Sequence, residues 1–459
     1  MTDLTITPHI IHFKNNTHLP AQWGYLQIPE NHAQPDENNL TLPFVRFQST
    51  HSTKPPIFFL QGGPGISILD SLPYLEPFIR ASLTLGDIIF IDHRGSGLAR
   101  PTLAPPTPRT LPFDQPLTHH QLTQANATHI QTAIDYWQTL GHHLPAYHAH
   151  NMAHDINTLR QILNYDQIRL VGGSFGSHHA FALIRAFPHT ITQAFLWGIE
   201  GPNHTFKRPL QVDTALQKLN HYLTQHPTLG PQIPNIAHLI QHILNHLQLN
   251  PVTLPLPNQP DQTITLGPYD LAKTITDSLG NIRFLAQLPA RLLQMQNNDF
   301  SWLAATAAHI RAPHYHNLMP TLTDLASGAT TDRWHQIETE TLTALLGNAI
   351  NDTLPELRHQ FTLHDLGDQF RAPLTTDIPI TLVSGDLDPR TPLQNAQDML
   401  PHFTNAHHLI IEGATHNLFY TGSHRHQLRQ RYLQFFNDQT IDTTPLRNQL
   451  EFATMDDLS

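Results

Sequence analysis

Residues 168–178 read IRLVGGSFGSH. An apolar run suited to a strand meets Gly172-Gly173-Ser174-Phe175-Gly176, and the helix-like AFALIRAF follows before Pro188. A serine between glycines at a strand end is either a glycine-rich turn or a bend that projects one hydroxyl. The pattern Gly172-x-Ser174-x-Gly176, with a strand before it and a helix after it, fits the second, a nucleophile elbow. A sharp strand-to-helix turn strains the serine backbone, and glycines on either side avoid the clash. The following helix then aims its N-terminus at the site, which favours developing negative charge.

A serine hydroxyl attacks a carbonyl only when a base removes its proton, so a histidine is required, with an acid to orient it. After an elbow of this type the acid and then the histidine follow in chain order. The segment LVSGDLDPRTP follows an apolar run and offers Asp386 and Asp388. Asp388 is preferred, because it precedes Pro389 in a loop able to lean over the sheet; Asp386 is the alternative, and also reads as part of a turn-forming Asp-x-Asp. The segment IIEGATHN ends another apolar run and offers His416. The chain has 35 histidines, so residue type alone singles out none of them. His416 is distinguished by its place at a strand end after the acid. His178 and His179 belong to the helix after the elbow and are expected to face its neighbours. An oxyanion hole needs two backbone donors. One is the N–H of Phe175; the other is assigned to Gly62 in QGGPG (61–65), with Gly63 as the alternative. A donor of this kind is worth about 2.7–4 kcal/mol in the transition state. A cis Gly63–Pro64 bond is compatible with that role.

Other chemistries are disfavoured by composition. There is no cysteine, which excludes disulfides, thiolate metal sites and a cysteine nucleophile. The formal charge is −11 with no basic run, which argues against nucleic acid as a partner. His119-His120, His142-His143 and His407-His408 are scattered and no H-E-x-x-H occurs, so these doublets read as compositional bias; no metal and no cofactor is expected. No stretch of about 18 apolar residues suggests a membrane span. The start, MTDLTITPHIIHFKNN, lacks a basic region followed by an apolar one, so a cytoplasmic location is the expectation.

The elements that must position these residues are short buried strands alternating with helices. With 39% hydrophobic and 13% charged residues, the chain has enough apolar side chains for a packed core. WGYLQIP and LTLPFVRF, split by ENHAQPDENN, read as an entry hairpin with a long loop. IFFL (57–60) and IIFI (88–91) are continuous apolar runs, as in strands covered on both faces. NMAHDINTLRQILN (151–164) carries Met152, Ile156, Leu159 and Leu163 at helical spacing. After the strand ITQAFLWGI, the texture from 202 to about 370 becomes helical, with LLQMQNNDFSWLAATAAHI and TETLTALLGNAI, interrupted by loops such as PVTLPLPNQPDQT. Strand–helix alternation resumes at IPITLVSGD and HHLIIEGATH and closes with the helix QLRQRYLQFF. The expected division is a core from 1 to 201 with a β extension over about 1–52, a helical cap inserted over 202–372, and the rest of the core over 373–459.

QGGPG, IDHRGSG, GGSFGS, SGDLDPRTP and GATH occur here in the order seen in α/β-hydrolase serine peptidases. The chain resembles the proline iminopeptidases and the tripeptidyl-aminopeptidase-like enzymes over roughly 20–205 and 370–425, and the entry hairpin resembles that of the second group. The resemblance implies an α/β fold with a mostly parallel sheet and an inserted helical cap. It implies Ser174 as nucleophile, Asp388 as acid and His416 as base, in a serine hydrolase releasing N-terminal proline or short peptides. A carboxylesterase or amidase acting on small esters or amides is the alternative, and a silent binding protein a third reading. Asp92, Arg94, Gly95 and Gly97 of IDHRGSG resemble a structural loop, in which Arg94 pairs with a carboxylate. Gln61 stands where proline iminopeptidases usually have histidine, Trp23 where relatives often have cysteine, and WGIEGPNHTFK differs from their RGIF-like run. An aminopeptidase must hold a substrate ammonium with carboxylates. Glu200 is the candidate, and the cap acids Asp299, Glu338 and Glu340 are further possibilities.

Overall fold

The computed structural model describes residues 4–35, 38–50, 54–256 and 259–458. Asp36 and Glu37 of the entry-hairpin loop and Pro257 and Asn258 lie outside the described residues. The strands are β1 (Leu4–His12), β2 (His18–Pro29), β3 (Asn39–Phe47), β4 (Ile57–Leu60), β5 (Ile88–Ile91), β6 (Ile168–Ser174), β7 (Ile191–Ile199), β8 (Val252–Leu256), β9 (Gln259–Leu266), β10 (Ile380–Gly385), β11 (Ala406–Glu412) and β12 (Leu446–Arg447). Ten of them form one sheet in the order β1-β2-β3-β5-β4-β6-β7-β10-β11-β12. The neighbouring pairs β1–β2, β2–β3 and β3–β5 are antiparallel, and the ladder from β5 to β12 is parallel. The expected two-stranded entry is therefore three-stranded. β1 carries no strand signature in the sequence, because LTITPHIIH is exposed at most positions and shows no clean alternation.

β4 shows why the central strands read as continuous apolar runs. Ile57 and Phe59 point into one buried layer, with Phe90, Phe195, Leu428 and Phe436. Phe58 and Leu60 point into the other, with Leu170, Met152, Ile156 and Phe181. A strand alternates its side chains between faces, so covering both faces makes every position apolar. Each such side chain is worth about 1.5–3 kcal/mol on burial. The order of strands reverses around β4, between β5 on one side and β6 on the other. In an open parallel sheet the crevice beyond the strand ends at such a reversal is where ligands bind. QGGPG follows β4 there and Ser174 ends β6.

The segment expected as one helical insertion divides in two. Residues between 212 and 307 build a second hydrophobic core, completed by Leu346 and Ala349 and by Leu387 and Phe452 from beyond the insertion. Leu318, Met319, Leu322, Leu325, Ile337, Leu357 and Phe370 instead join the core on the sheet. PVTLPLPNQPDQT, read as a loop because of its prolines, contributes β8 and β9, an antiparallel pair apart from the main sheet. TETLTALLGNAI is α-helical only as far as Thr341, and a 3-10 turn over Ala349–Asn351 takes in its last two residues.

Several of the histidines gather around one carboxylate. Asp155 lies on α1 (Ala149–Ile162) and accepts two hydrogen bonds from the buried Arg94, at 2.8 and 2.6 Å. His32 Nε2 stands 2.6 Å from the same carboxylate. Rings then run from His32 to His154 (5.2 Å between centroids), to His150 (4.9 Å) and to His148 (6.3 Å), which stacks on His364 at 4.7 Å. Burial first, then neighbouring positive charge, pulls His148 down to about 2 and His154 down to about 4. Elsewhere in the core, burial and then His179 pull His93 down to about 3. These rings are neutral in the fold, whereas in the unfolded chain they take up protons near pH 6.5. Their contribution to stability is therefore complete above about pH 6.5 and declines as the pH falls below it, by up to about 1.4 kcal/mol per pH unit for each ring. Urea midpoints measured from pH 7.5 to 4.5 are expected to hold steady above 6.5 and to drop steeply below it; a flat profile down to 4.5 would contradict this.

Candidate active site

β6 hands over to α2 (Phe175–Ala186) at Ser174, which has φ 55° and ψ −128°. A side-chain-bearing residue adopts that conformation only when its surroundings enforce it. Here they do. A Cβ on Gly176 would lie 2.1 Å from the Leu60 carbonyl oxygen of β4, and one on Gly173 would lie 2.1 Å from the Trp197 indole. The start of α2 is thus pressed against the end of β4, and only glycine fits on either side of the serine. Ser177 secures the first turn by donating its hydroxyl to the Ser174 carbonyl at 2.7 Å. His178 and His179 lie buried on α2, and His178 reaches the Ser327 hydroxyl at 3.0 Å.

The acid and the histidine come from the loops after β10 and β11. His416 Nδ1 stands 2.8 Å from Asp388 Oδ2. Asp388 is buried, and its other oxygen accepts the N–H groups of Arg390 (2.8 Å) and Thr391 (3.0 Å). The Thr391 hydroxyl donates to Asp388 Oδ2 at 2.5 Å and lies 3.0 Å from His416 Nδ1. Burial alone would raise the Asp388 pKa; the charge and hydrogen bond of His416, with the Thr391 donors, hold it below the usual carboxylate range. With Nδ1–H directed at Asp388, Nε2 is the nitrogen left to accept a proton. Asp386 is occupied elsewhere: it accepts the Tyr222 hydroxyl (2.9 Å) and the Gly413 N–H (2.7 Å). Gly198 links the serine to the histidine. Its neighbour Ile199 pairs with Ser174 across the sheet, and a Cβ on Gly198 would lie 3.3 Å from His416 Cε1.

Ser174 and His416 line one cavity of about 580 Å³. Gly62 and Gly63 line it too, and a Cβ on Gly62 would lie 3.4 Å from that of Ser174. The Gly63–Pro64 bond is cis. Phe175 opens α2, so its N–H belongs to a first turn that has no intrahelical acceptor. The loop after QGGPG is tied down by Asp92, which accepts the N–H groups of Ile68 (2.8 Å) and Leu98 (2.8 Å) and the Ser67 hydroxyl (2.9 Å). The cavity walls are mostly apolar, with Ile66, Ile68, Leu75, Tyr74, Tyr420 and Trp197, which stacks on Phe419 at 4.1 Å. Tyr74, Leu75 and Tyr420 also wall a second, apolar hollow of about 430 Å³.

Three charged side chains line the cavity besides the histidine: Glu200, Lys207 and Arg390. Glu200 Oε2 takes an ion pair from Lys207 Nζ at 2.7 Å, while Oε1 has no hydrogen-bond partner among the described residues. Lys207 also donates to the Thr205 carbonyl at 2.7 Å. Asp324, on α3 (Leu318–Ser327), is pushed up to about 8 by burial and then by the charge of Glu200, against the pull of Lys207. The cap acids considered from sequence lie elsewhere. Glu338 pairs with Arg358, Glu340 with Arg208, and Asp299 accepts the Ser301 N–H, and none of the three lines the cavity. Lys207, Arg390 and Asp324 were not singled out from sequence. The first two stand inside segments already quoted, but Asp324 sits on an ordinary amphipathic helix and carries no local signature. Among the described residues no group of three or more histidine or acidic side chains is arranged to hold a metal ion. Nor is any described helix long and apolar enough to cross a membrane.

Comparison with known proteins gives a family and a fold. Solved structures that match include an esterase from Thermogutta terrifontis with malate bound (12% identity, 90% of this chain and 98% of that one, TM-score 0.38). They also include an esterase from Exiguobacterium antarcticum (13%, 90% and 98%, 0.40) and epoxide hydrolase A from Mycobacterium thermoresistibile (12%, 95% and 100%, 0.38). No curated protein sequence matches the chain. The family model for the alpha/beta hydrolase fold matches residues 55–423, and the chain belongs to that family.

Proposed function

We propose that the protein is a serine hydrolase that releases N-terminal residues from short peptides through an acyl-enzyme. The observation that carries this reading is the Asp388–His416 hydrogen bond opening on the same cavity as the strained Ser174. Ser174 Oγ attacks the carbonyl carbon while His416 Nε2 takes the hydroxyl proton. The carbonyl oxygen becomes an oxyanion held by the N–H groups of Phe175 and Gly62. His416 returns its proton to the departing nitrogen as the carbon–nitrogen bond breaks. Water, deprotonated by the same imidazole, then cleaves the acyl-enzyme and restores the serine. Asp388 keeps the imidazole in the required tautomer and offsets its positive charge, and Thr391 positions both groups.

The peptide reading rests on the carboxylates. Glu200 keeps one oxygen unspent beside the cavity, and Asp324 adds a second carboxyl within electrostatic reach of it. An arriving ammonium group would favour ionisation of Asp324, because an adjacent positive charge lowers a carboxyl pKa. The apolar walls suit an uncharged acyl side chain and keep open the second reading, hydrolysis of small esters or amides.

Aminoacyl- and tripeptidyl-arylamides with free amines, compared with their N-acetylated forms and with short-chain p-nitrophenyl esters, separate the two readings. Cleavage of the free-amine arylamides is expected, with N-acetylation lowering kcat/KM by about a hundredfold, the size of one lost buried charge contact. Ester turnover without any arylamide cleavage would contradict the peptidase reading. Glu200→Gln and Asp324→Asn should each lower the ratio of free-amine to ester kcat/KM by about tenfold or more, mostly through KM; an unchanged ratio in both variants would remove these residues from amine binding.

A further inference from the structure

Of the charged side chains on the cavity wall, Glu200 and Lys207 pair with each other, and Arg390 is the one that the proposed reaction leaves without a role. Arg390 follows the acid by two residues, and its backbone N–H is fixed on Asp388 Oδ1 at 2.8 Å. Its side chain lines the catalytic cavity and is 35% exposed. Its guanidinium contacts are weak. Nη2 reaches the main-chain oxygen of Asp277 at 3.3 Å and the Asp277 carboxylate only at 3.9 Å. That carboxylate is already engaged by Lys273, which holds its two oxygens at 2.7 and 2.9 Å. A guanidinium has five N–H donors, and Nε and Nη1 of this one have no hydrogen-bond partner among the described residues.

The location of the group decides what it meets. Gly280 lies in the turn after the helix Pro268–Ser278 and seats this part of the insertion on the histidine loop. Its carbonyl accepts the Thr415 hydroxyl at 3.0 Å and the Asn417 N–H at 3.3 Å. A Cβ on Gly280 would lie 2.9 Å from Arg390 Nε and 3.5 Å from His416 Cβ. The guanidinium therefore stands beside the histidine. The imidazole gives its proton to the departing atom, so the departing half of the substrate must lie against His416. A planar fork of donors in that place matches a carboxylate, which it can hold through two parallel hydrogen bonds.

We propose that Arg390 binds a carboxylate on the departing half of the substrate, and that the preferred substrates are short peptides with a free C-terminus close to the scissile bond. The peptide part of this assignment rests on the function proposed above; the recognition of a negatively charged leaving group does not. When a single residue departs, its carboxyl carbon is two bonds from the departing nitrogen, so the contact also limits length. A longer peptide carries its terminal charge past the guanidinium and gains nothing from it. Glu200, with Asp324 behind its charge, and Arg390 would then read the two ends of a di- or tripeptide. The other charges facing Arg390 are Asp277 and Lys273 from the inserted helix, which remain paired with each other.

Two kinds of matched pair test the assignment: the dipeptides Pro-Phe and Ala-Phe against their C-terminal amides, and the ester O-acetyl-lactate against its amide, in which the carboxyl carbon again stands two bonds from the departing atom. The wild-type protein is expected to favour the carboxylate member of each pair by about tenfold or more in kcat/KM, chiefly through KM, as for a charge-assisted contact. In Arg390→Gln the ratio should approach one, and Arg390→Lys should keep part of it. In the wild type itself the ratio should shrink in 0.5 M sodium chloride, a readout that needs no substitution. If Arg390 merely tethers the insertion, its removal lowers both members alike and leaves the ratio intact, which would overturn the assignment. Equal handling of both members of both pairs by the wild type, or turnover of neither, would also overturn it. A preference confined to the ester pair, with no peptide cleaved, keeps Arg390 as the anion contact and defeats the peptidase reading. Arylamide cleavage without any charge preference does the reverse.

Discussion

A carboxylate removed from water must be met by donors, and the site is organised around how that requirement is satisfied at Asp388. Four donors converge on it: the N–H groups of Arg390 and Thr391, the Thr391 hydroxyl and His416 Nδ1. Three come from the turn that follows the acid, so the loop after β10 folds back on its own side chain. The fourth comes from the next loop, and it fixes the histidine. Losing one donor would leave a buried charge short of a partner, which costs more than the bond contributes when made. This is why the tautomer and placement of the imidazole are set before any substrate arrives.

The serine is held in place by close packing rather than by charge. Ser174 keeps its unusual backbone because α2 begins against the Leu60 carbonyl, where only glycine fits at residue 176. The two halves of the site then meet across β7, with Gly198 next to the strand partner of the serine and against the imidazole. Around this centre the cavity has few charges, and their arrangement is specific: Glu200 is half engaged by Lys207, burial and then the charge of Glu200 push up the pKa of the nearby Asp324, and Arg390 is poorly matched beside the histidine. Charges left incompletely paired in a mostly apolar cavity are suited to ligand groups of opposite sign.

The sequence was most informative where geometry permits few residue types. Gly173, Ser174 and Gly176 are legible because a Cβ at either glycine would meet Trp197 or Leu60. IFFL and IIFI are legible because burial on both faces leaves only apolar positions. The choice of Asp388 over Asp386 followed from the proline after it, and the structure brings Asp388 to the imidazole while Asp386 holds Tyr222 and Gly413. What stayed hidden depends on contacts between distant segments. Nothing local to Asp324 shows that its helix lies near Glu200, and nothing in LTITPHIIH marks a third entry strand, since pairing with β2 rather than burial holds it. The hairpin within PVTLPLPNQPDQT was masked by prolines, which edge positions of a two-stranded ribbon tolerate. The insertion looked uniform because amphipathic helices read alike whether they pack on each other or on the sheet.

The central claim is that Ser174 is the activated nucleophile. Treating the folded protein with a fluorophosphonate and measuring intact mass, followed by peptide mapping, tests it most directly. The account predicts one adduct per chain, on Ser174, forming about a thousandfold or more slowly in His416→Gln. A folded protein that leaves Ser174 unmodified, or that reacts equally fast without the imidazole, would contradict it.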